Sequence, residues 1–542
     1  MLKVINGYVY DPVQGLNGQK KDLWIDNGTI IEAPEEKSQG CQVIDAADMI
    51  VMPGGVDIHS HIAGPKIYSA RLLRPEEYRR YYDLKKRTLQ ESTAVAVPTI
   101  SLTGFLYTKM GYTTVMEAAV PPIMARHAHM DLNDIPVIDK GCFILMGNNR
   151  YIFDLISRKQ KGQLKDFVAW LLHNTGGYAI KIVDPGGVDS WKGQKVICSL
   201  DDLLEGFNIS PRHILASLAE ASDELGLPHG IHVHCNNLGM PGNILTTEET
   251  ITAVSGRRLH LAHVQFHCYG GTSVDNWNSA AYRLIELLEK NSNVTVDVGQ
   301  IMFGETTALS ADGRLQYELH RASGCKWMNK DIEMETGSGL LPLSYSEKNW
   351  INVMQWAAGL ELLLSATNPW QLFLTTDHPN GCSFVNYPLI IQLLMDKGFR
   401  RQVMQKLNKK GLKRTALLDI DREYSLNDIV VITRSGPAKA LGLKRKGHLQ
   451  VGADADIAIY RKANGRVDFS KAYYVIKSGK MVVKEGEIID RFPGVTYMVK
   501  PRYDENITEV IRAYYKKYST ISAANYAVQD NYYKAKEVIP CT

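Results

Sequence analysis

Hydrophobic and polar positions change rhythm twice along the chain. Over residues 1–50, short runs alternate apolar and polar side chains and break at Asn-Gly and Asp-Asn-Gly turns: LKVINGYVYDP, KDLWIDNGTIIEA and CQVIDAADMIVMP. Period-two alternation between such turns predicts half-buried strands. The same style returns near the other end in GHLQVGADADIAIY, AYYVIKSGKMVVKEG and GEIIDRF. Strand-rich ends around a long insert predict that the two ends pair in space, as a β-sandwich split by a central domain.

Residues 51–435 behave differently. Unbroken β-branched runs centre on 56–59, 113–118, 143–146, 178–183, 230–234, 259–264, 294–298 and 372–376. Helical stretches such as 211–225, 280–290 and 350–365 lie between several of them. Continuous apolar strands separated by helices belong to a parallel sheet covered on both faces. Eight βα repeats predict an α/β fold, a (β/α)8 TIM-like barrel carrying insertions, with a small β-sandwich built from both chain ends. The expected boundaries are 1–50 and 436–500 for the two parts of the sandwich, 51–435 for the barrel and 501–542 for a C-terminal extension. The stretch 514–533, rich in Tyr and Lys, reads either as a docking segment or as packing on its own barrel.

Composition narrows the function classes. The 542 residues exceed the roughly 250–300 at which one core stops growing, so two domains are expected. A net charge of +4 gives no basis for a nucleic-acid partner. The basic runs near 400–401, 409–414 and 444–446 read as solvated faces. No apolar run approaches the ~18 residues of a membrane span, and MLKVINGYVYDP reads as strand and turn, not as a leader. The 8 cysteines form no CxxC pair. That pattern disfavours a cluster or an all-cysteine zinc site and fits a reducing cytoplasm.

In such a barrel the chemistry sits at the C-terminal ends of the strands. Strand one ends VDIHSH, and alternation puts His59 and His61 on one face, where two imidazoles can clasp one metal. Strand four, GYAIKIVDPGG, holds Lys181 inside an apolar run. A buried ammonium tends to lose its charge, and a neutral amine can react with carbon dioxide to give a carbamate that bridges two metals. The alternative is a lysine reaching past the strand end to water. Strand five ends IHVHCNN; His234 closes it and His232 shares its face. In strand six, LHLAHVQFHCYGG, His263 falls nearest the end, His260 reads as structural and His267 belongs to the following loop. Strand eight, LFLTTDHPNG, closes on Asp377, a carboxylate able to bind metal and accept a proton. Asn149, Asn236, His267, Gln300 and His378 stand near strand ends as candidate substrate contacts, or equally as partners of loop backbone.

PGGVDIHSH, the barrel lysine, the later single histidines, TTDHP and GHLQVGADADIAIY together resemble the amidohydrolase superfamily. TTDHP is similar to dihydroorotases and hydantoinases, whose sites hold two zinc ions bridged by a carboxylated lysine. Nearly the whole chain resembles the family of A subunits of formylmethanofuran dehydrogenase and of the bacterial formyltransferase/hydrolase complex. MPGGVDIHSHIAGPK, MGYTTVMEAAVPP, IHVHCNNLGMPGN, AHVQFHCYGGT, METGSG, LTTDHPNG and ISAANYAVQD carry that resemblance. It implies a cytoplasmic member of a multi-subunit complex in one-carbon metabolism, which interconverts N-formyl-methanofuran with formate and the free amine. It further implies two divalent metals, zinc first. His59, His61 and Asp377 would hold one, His234 and His263 the other, and Lys181 would bridge them as N6-carboxylysine. Asp377 would also carry the proton from water to the departing amine. The TTDHPNG wording favours the hydrolase complex. The remaining alternatives are the dehydrogenase relative running towards condensation, a cyclic-amide hydrolase and a non-catalytic scaffold.

Overall fold

The computed structural model describes every residue except 36–39, 78, 80–95, 331–337 and 464. Among the described residues, eight parallel strands succeed one another in the sheet. They are Gly55–Ser60, Tyr112–Val120, Asp139–Leu145, Ala179–Val183, Ile231–His234, Leu259–Leu261, Val294–Asp297 and Leu372–Phe373. Each pairs with the next. A bridge between Ser60 and His378, with the His61 N–H donated to the His378 carbonyl at 2.8 Å, joins last strand to first and closes the barrel. Each strand falls on one of the eight apolar runs of the sequence. The second to sixth are buried along their whole length, which is why they read as unbroken hydrophobic stretches.

After the seventh strand the chain makes the excursion that lengthens this sector. A hairpin of Gly304–Ser310 against Ser338–Tyr345, with the helix Gly313–Ser323 between its arms, stands over the C-terminal mouth of the barrel. METGSG falls mostly outside the described residues.

Both chain ends meet in the β-rich part. Ile50–Pro53 pairs in parallel with Tyr8–Asp11 and antiparallel with Ile457–Tyr460, which continues to Tyr474–Lys477. A second sheet of Leu2–Ile5, Leu23–Asp26, Thr29–Ile31 and Gln42–Asp45 faces it across a core including Val4, Ile25, Val51, Ile457 and Ile476. The tail packs on its own barrel. Thr496–Met498 pairs with the start of the third barrel strand and with Lys536–Val538, and Tyr515 and Tyr526 are buried.

A buried ionic cluster links sandwich to barrel. Lys446 Nζ lies 2.7 Å from Asp139, 2.9 Å from Asp454 and 2.7 Å from Asp456. Lys477 Nζ lies 2.7 Å from Asp139 and 3.1 Å from Asp456. Burial raises the pKa of Asp139 and Asp456, but the two ammonium groups outweigh it and hold both carboxyls below their usual range. Depressed carboxylates contribute stability above the unfolded value of about 4, and that contribution is lost as pH falls. Lys446→Met strands buried negative charge and is expected to cost about 3–5 kcal/mol. Thermal melts at pH 7 should show a lower Tm, and the gap to wild type should persist down to about pH 4 and narrow only as pH falls further; equal melting at pH 7 refutes the assignment.

Candidate metal centre

The six side chains expected at the strand ends converge. His59, His61, Lys181, His234, His263 and Asp377 all line one cavity of about 520 Å3 at the mouth of the barrel. Each is almost fully buried. Asp377 Oδ1 lies 3.1 Å from His59 Nε2 and 3.2 Å from His61 Nε2. His234 and His263 meet edge to face, ring centroids 4.7 Å apart. Among the described residues, ligand-capable atoms gather within 4.8 Å of one another in three groups: His59, His263 and Asp377; His234, His263 and His267; and His59, His232 and Asp297.

Orphaned polar atoms show whether cations fit. His59 Nε2, Lys181 Nζ, His234 Nε2, His263 Nδ1 and Asp377 Oδ1 are buried without a hydrogen-bond partner. Each such atom left unmet costs about 1–3 kcal/mol, so five around one cavity call for a shared partner, and imidazole with carboxylate suits a divalent metal. The residues fit the two-metal group. Their protonation agrees. Burial chiefly drives the pKa of His234 and His263 down, leaving neutral rings. Burial opposes charge on His59 too, but Asp297 and Asp377 outweigh it and raise His59 to about 8, so a cation there displaces a proton. Burial is also the largest influence on Lys181, lowering it to about 8 against the carboxylates of Asp297 and Asp377.

Backbone conformation singles out two of the six. His263 has φ 35° and Asp377 φ 47°. Non-glycine residues rarely adopt left-handed backbone, and such strain gathers at functional sites.

Two carboxylates that the strand-end pattern does not single out hold the strand-one imidazoles. Glu117 Oε1 accepts from His61 Nδ1 at 3.2 Å and lies 2.7 Å from Lys66 Nζ; its Oε2 accepts from the backbone of Ile62 and Ala63. Burial raises Glu117, but Lys66 and His61 outweigh it and hold it at about 2. Asp297 Oδ2 accepts from His59 Nδ1 and His260 Nε2, both at 3.0 Å; its Oδ1 accepts from the Thr375 hydroxyl at 2.6 Å and the His263 N–H at 3.0 Å. Both imidazoles thereby carry their proton on Nδ1 and turn Nε2 to the cavity. The signal for them in the sequence is a lone carboxylate inside each apolar strand, VMEAAV and VTVDVG. Asp297→Asn should weaken metal binding about 10–100-fold, measured by calorimetric titration of stripped protein; unchanged affinity refutes the positioning role.

The five candidate substrate contacts are buried, and none lines the cavity. Asn149 caps the helix Arg150–Ser157, accepting from Tyr151 N at 3.0 Å. Asn236 Nδ2 donates to Asp184 at 2.5 Å. Gln300 Nε2 donates to the carbonyls of Ile301 and Trp356. His378 offers its carbonyl to His61 and its ring to Phe384. His267 lies beside His263. The cavity wall is mostly apolar, with Leu238, Phe266, Trp277, Leu315, Leu341 and Tyr345 among its residues.

A closed parallel barrel with side chains able to ligate metal on its C-terminal rim defines a class, and sequence comparison agrees: the chain belongs to the amidohydrolase family, whose profile matches residues 42–489. It is 43% identical to protein FwdA of Methanocaldococcus jannaschii, over 98% of each chain. It is 38% identical to the A subunit of the formyltransferase/hydrolase complex Fhc of Methylorubrum extorquens, over 98% of this chain and 97% of that one. A chain in the crystal structure of the FhcABCD complex from Methylorubrum extorquens with methylofuran superposes with a TM-score of 0.93, at 36% identity and 100% of both chains.

Proposed function

We propose that the chain is the binuclear-metal hydrolytic subunit of a formyltransferase/hydrolase-type complex, cleaving N-formyl-methanofuran to formate and methanofuran in one-carbon metabolism. The observation that carries this is the convergence of six donor side chains on one cavity, in a chain 38% identical to the Fhc relative along nearly its full length. When bound, divalent metals lower the pKa of water towards about 7 and polarise a carbonyl. His59, His61 and Asp377 would hold one, His234 and His263 the other, and carboxylated Lys181 both. Zinc suits this donor set best. Asp377 takes the proton of the attacking water and delivers it to the amine nitrogen as the formamide C–N bond breaks. The apolar wall receives the furan-bearing carrier, and 520 Å3 is a usual size for such a pocket. The cysteines form no disulfide, and among the described residues no helix is long and apolar enough to cross a membrane, which suits a cytoplasmic site.

The resemblance of segments such as IHVHCNNLGMPGN and ISAANYAVQD to the A subunits of formylmethanofuran dehydrogenase supports a second reading, the same residues condensing formate with the amine inside a dehydrogenase complex. Copurifying proteins distinguish the two: a formyltransferase marks the hydrolase, a molybdenum or tungsten protein the dehydrogenase.

The test of the activity is formate release from formyl-methanofuran, with dihydroorotate as control. Formate from the first and no turnover of the second is expected. Turnover of dihydroorotate alone overturns the proposal, and protein that takes up no metal points to a scaffold.

A further inference from the structure

His267 stands beside the metal centre with no task in the proposed chemistry. The short helix Val264–Phe266 turns the chain back after His263 and lays the His267 ring against it, centroids 5.3 Å apart and planes 26° apart. The His234 ring stands 5.4 Å from His267 at 73°. Backbone bonds fix the position: the His267 N–H reaches the Val264 carbonyl at 2.9 Å, and the Thr247 hydroxyl donates to the His267 carbonyl at 2.8 Å.

Neither ring nitrogen of His267 has a hydrogen-bond partner, and the residue is 0% exposed. Three other buried imidazoles of the barrel are engaged at both ring nitrogens. His260 bonds Thr295 and Asp297, His232 bonds His59 and His229, and His229 bonds the Ala440 carbonyl. A wholly buried imidazole with both nitrogens idle is costly. Substrate is a poor partner, because His267 does not line the cavity. His234 and His263 each turn an orphaned nitrogen into the same space, and ligand atoms of the three rings lie within 4.8 Å of one another.

We infer that His267 is a third imidazole donor to the second metal, approaching from behind the cavity, so that this site holds three histidines and prefers cobalt, nickel or zinc to magnesium or manganese. The inference rests on the two-metal reading and goes beyond its ligand set. Apart from the Lys181 carbamate that both would share, it sets the two sites apart: the Asp377 carboxylate serves the first and neutral rings alone serve the second.

The test is cobalt(II) titration of the chelator-stripped full-length chain, read by visible absorption and calorimetry. Wild type should take up two ions per chain. His267→Ala and His267→Asn should bind the first ion as wild type does and the second at least about tenfold more weakly, with altered cobalt bands. Imidazole added to His267→Gly should restore the second site. If the folded Ala and Asn variants bind both ions with unchanged affinity and spectrum, the inference is overturned, even where KM has risen. Wild type that binds no cobalt overturns the two-metal reading itself, a result distinct from that one.

Discussion

Asp377→Asn should leave both metals in place and lower formamide hydrolysis by at least about a hundredfold. Asparagine keeps the shape and one ligating oxygen, so a carboxylate needed only as a ligand loses little. It cannot accept a proton, so a carboxylate needed as a base loses most of its contribution. The structure makes Asp377 suited to both tasks. Burial raises its pKa, but His263 and His59 outweigh it and hold it well below the usual range, so it stays ionised. Its backbone is locked by the Asn380 N–H on its carbonyl at 2.7 Å and by the turn that follows. Oδ1 faces two imidazoles and the cavity with no hydrogen-bond partner. The loss should fall on kcat, because the group acts as the bond breaks and touches the carrier little. Metal analysis beside steady-state kinetics decides it: full metal with near-wild-type turnover removes Asp377 from the proton path.

The frame of this site is legible in the sequence because the barrel writes its strands as unbroken apolar runs. A histidine, lysine or aspartate interrupting such a run is conspicuous, and His59, His61, Lys181 and Asp377 stand out in that way. Alternation carries less information about depth. His232 and His234 share a face of one strand, yet His232 reaches down to bond His59 Nδ1 and His229, while His234 opens on the cavity. Period two fixes the face and leaves the layer to the tilt of the closed barrel. Glu117 and Asp297 are hidden for a related reason. Each is one carboxylate in an apolar strand, and its meaning depends on which imidazoles the neighbouring strands bring to it. Asn149 shows where the pattern stays open: its position near a strand end allows a substrate contact or a backbone partner, and the structure gives it a helix cap. Asp-Pro-Gly or Asn-Asn-Arg after a strand marks a turn equally well whether the turn touches substrate or only starts the next helix.

Lys181→Ala should strip the protein of both metals and lower turnover by at least about a thousandfold, since water then keeps its pKa near 15.7 and no longer approaches 7. Lys181 sits in a strand buried on both faces, 1% exposed, with Nζ unmatched. An ammonium placed there loses its hydration. The pKa of about 8 means that half the amine is neutral at pH 8. On the proposed reading the neutral form would add carbon dioxide, forming an N–C bond and releasing one proton, and the new carboxylate would carry the negative charge that two cations need between them. Two consequences separate this from a merely structural lysine. A short carboxylic acid should occupy the space left by alanine and recover part of the metal content and activity. Reloading of stripped wild type with zinc should accelerate with added bicarbonate and with pH rising through 8. The sign follows from the amine, which must lose its proton before it can react. A Lys181→Ala protein that keeps two metals and its turnover would show that the bridge comes from elsewhere. Equal reloading with and without bicarbonate would show that the lysine binds as a free amine. Either result would separate the four imidazoles and Asp377, which still define a metal pocket by geometry, from the carbamate that would make it binuclear.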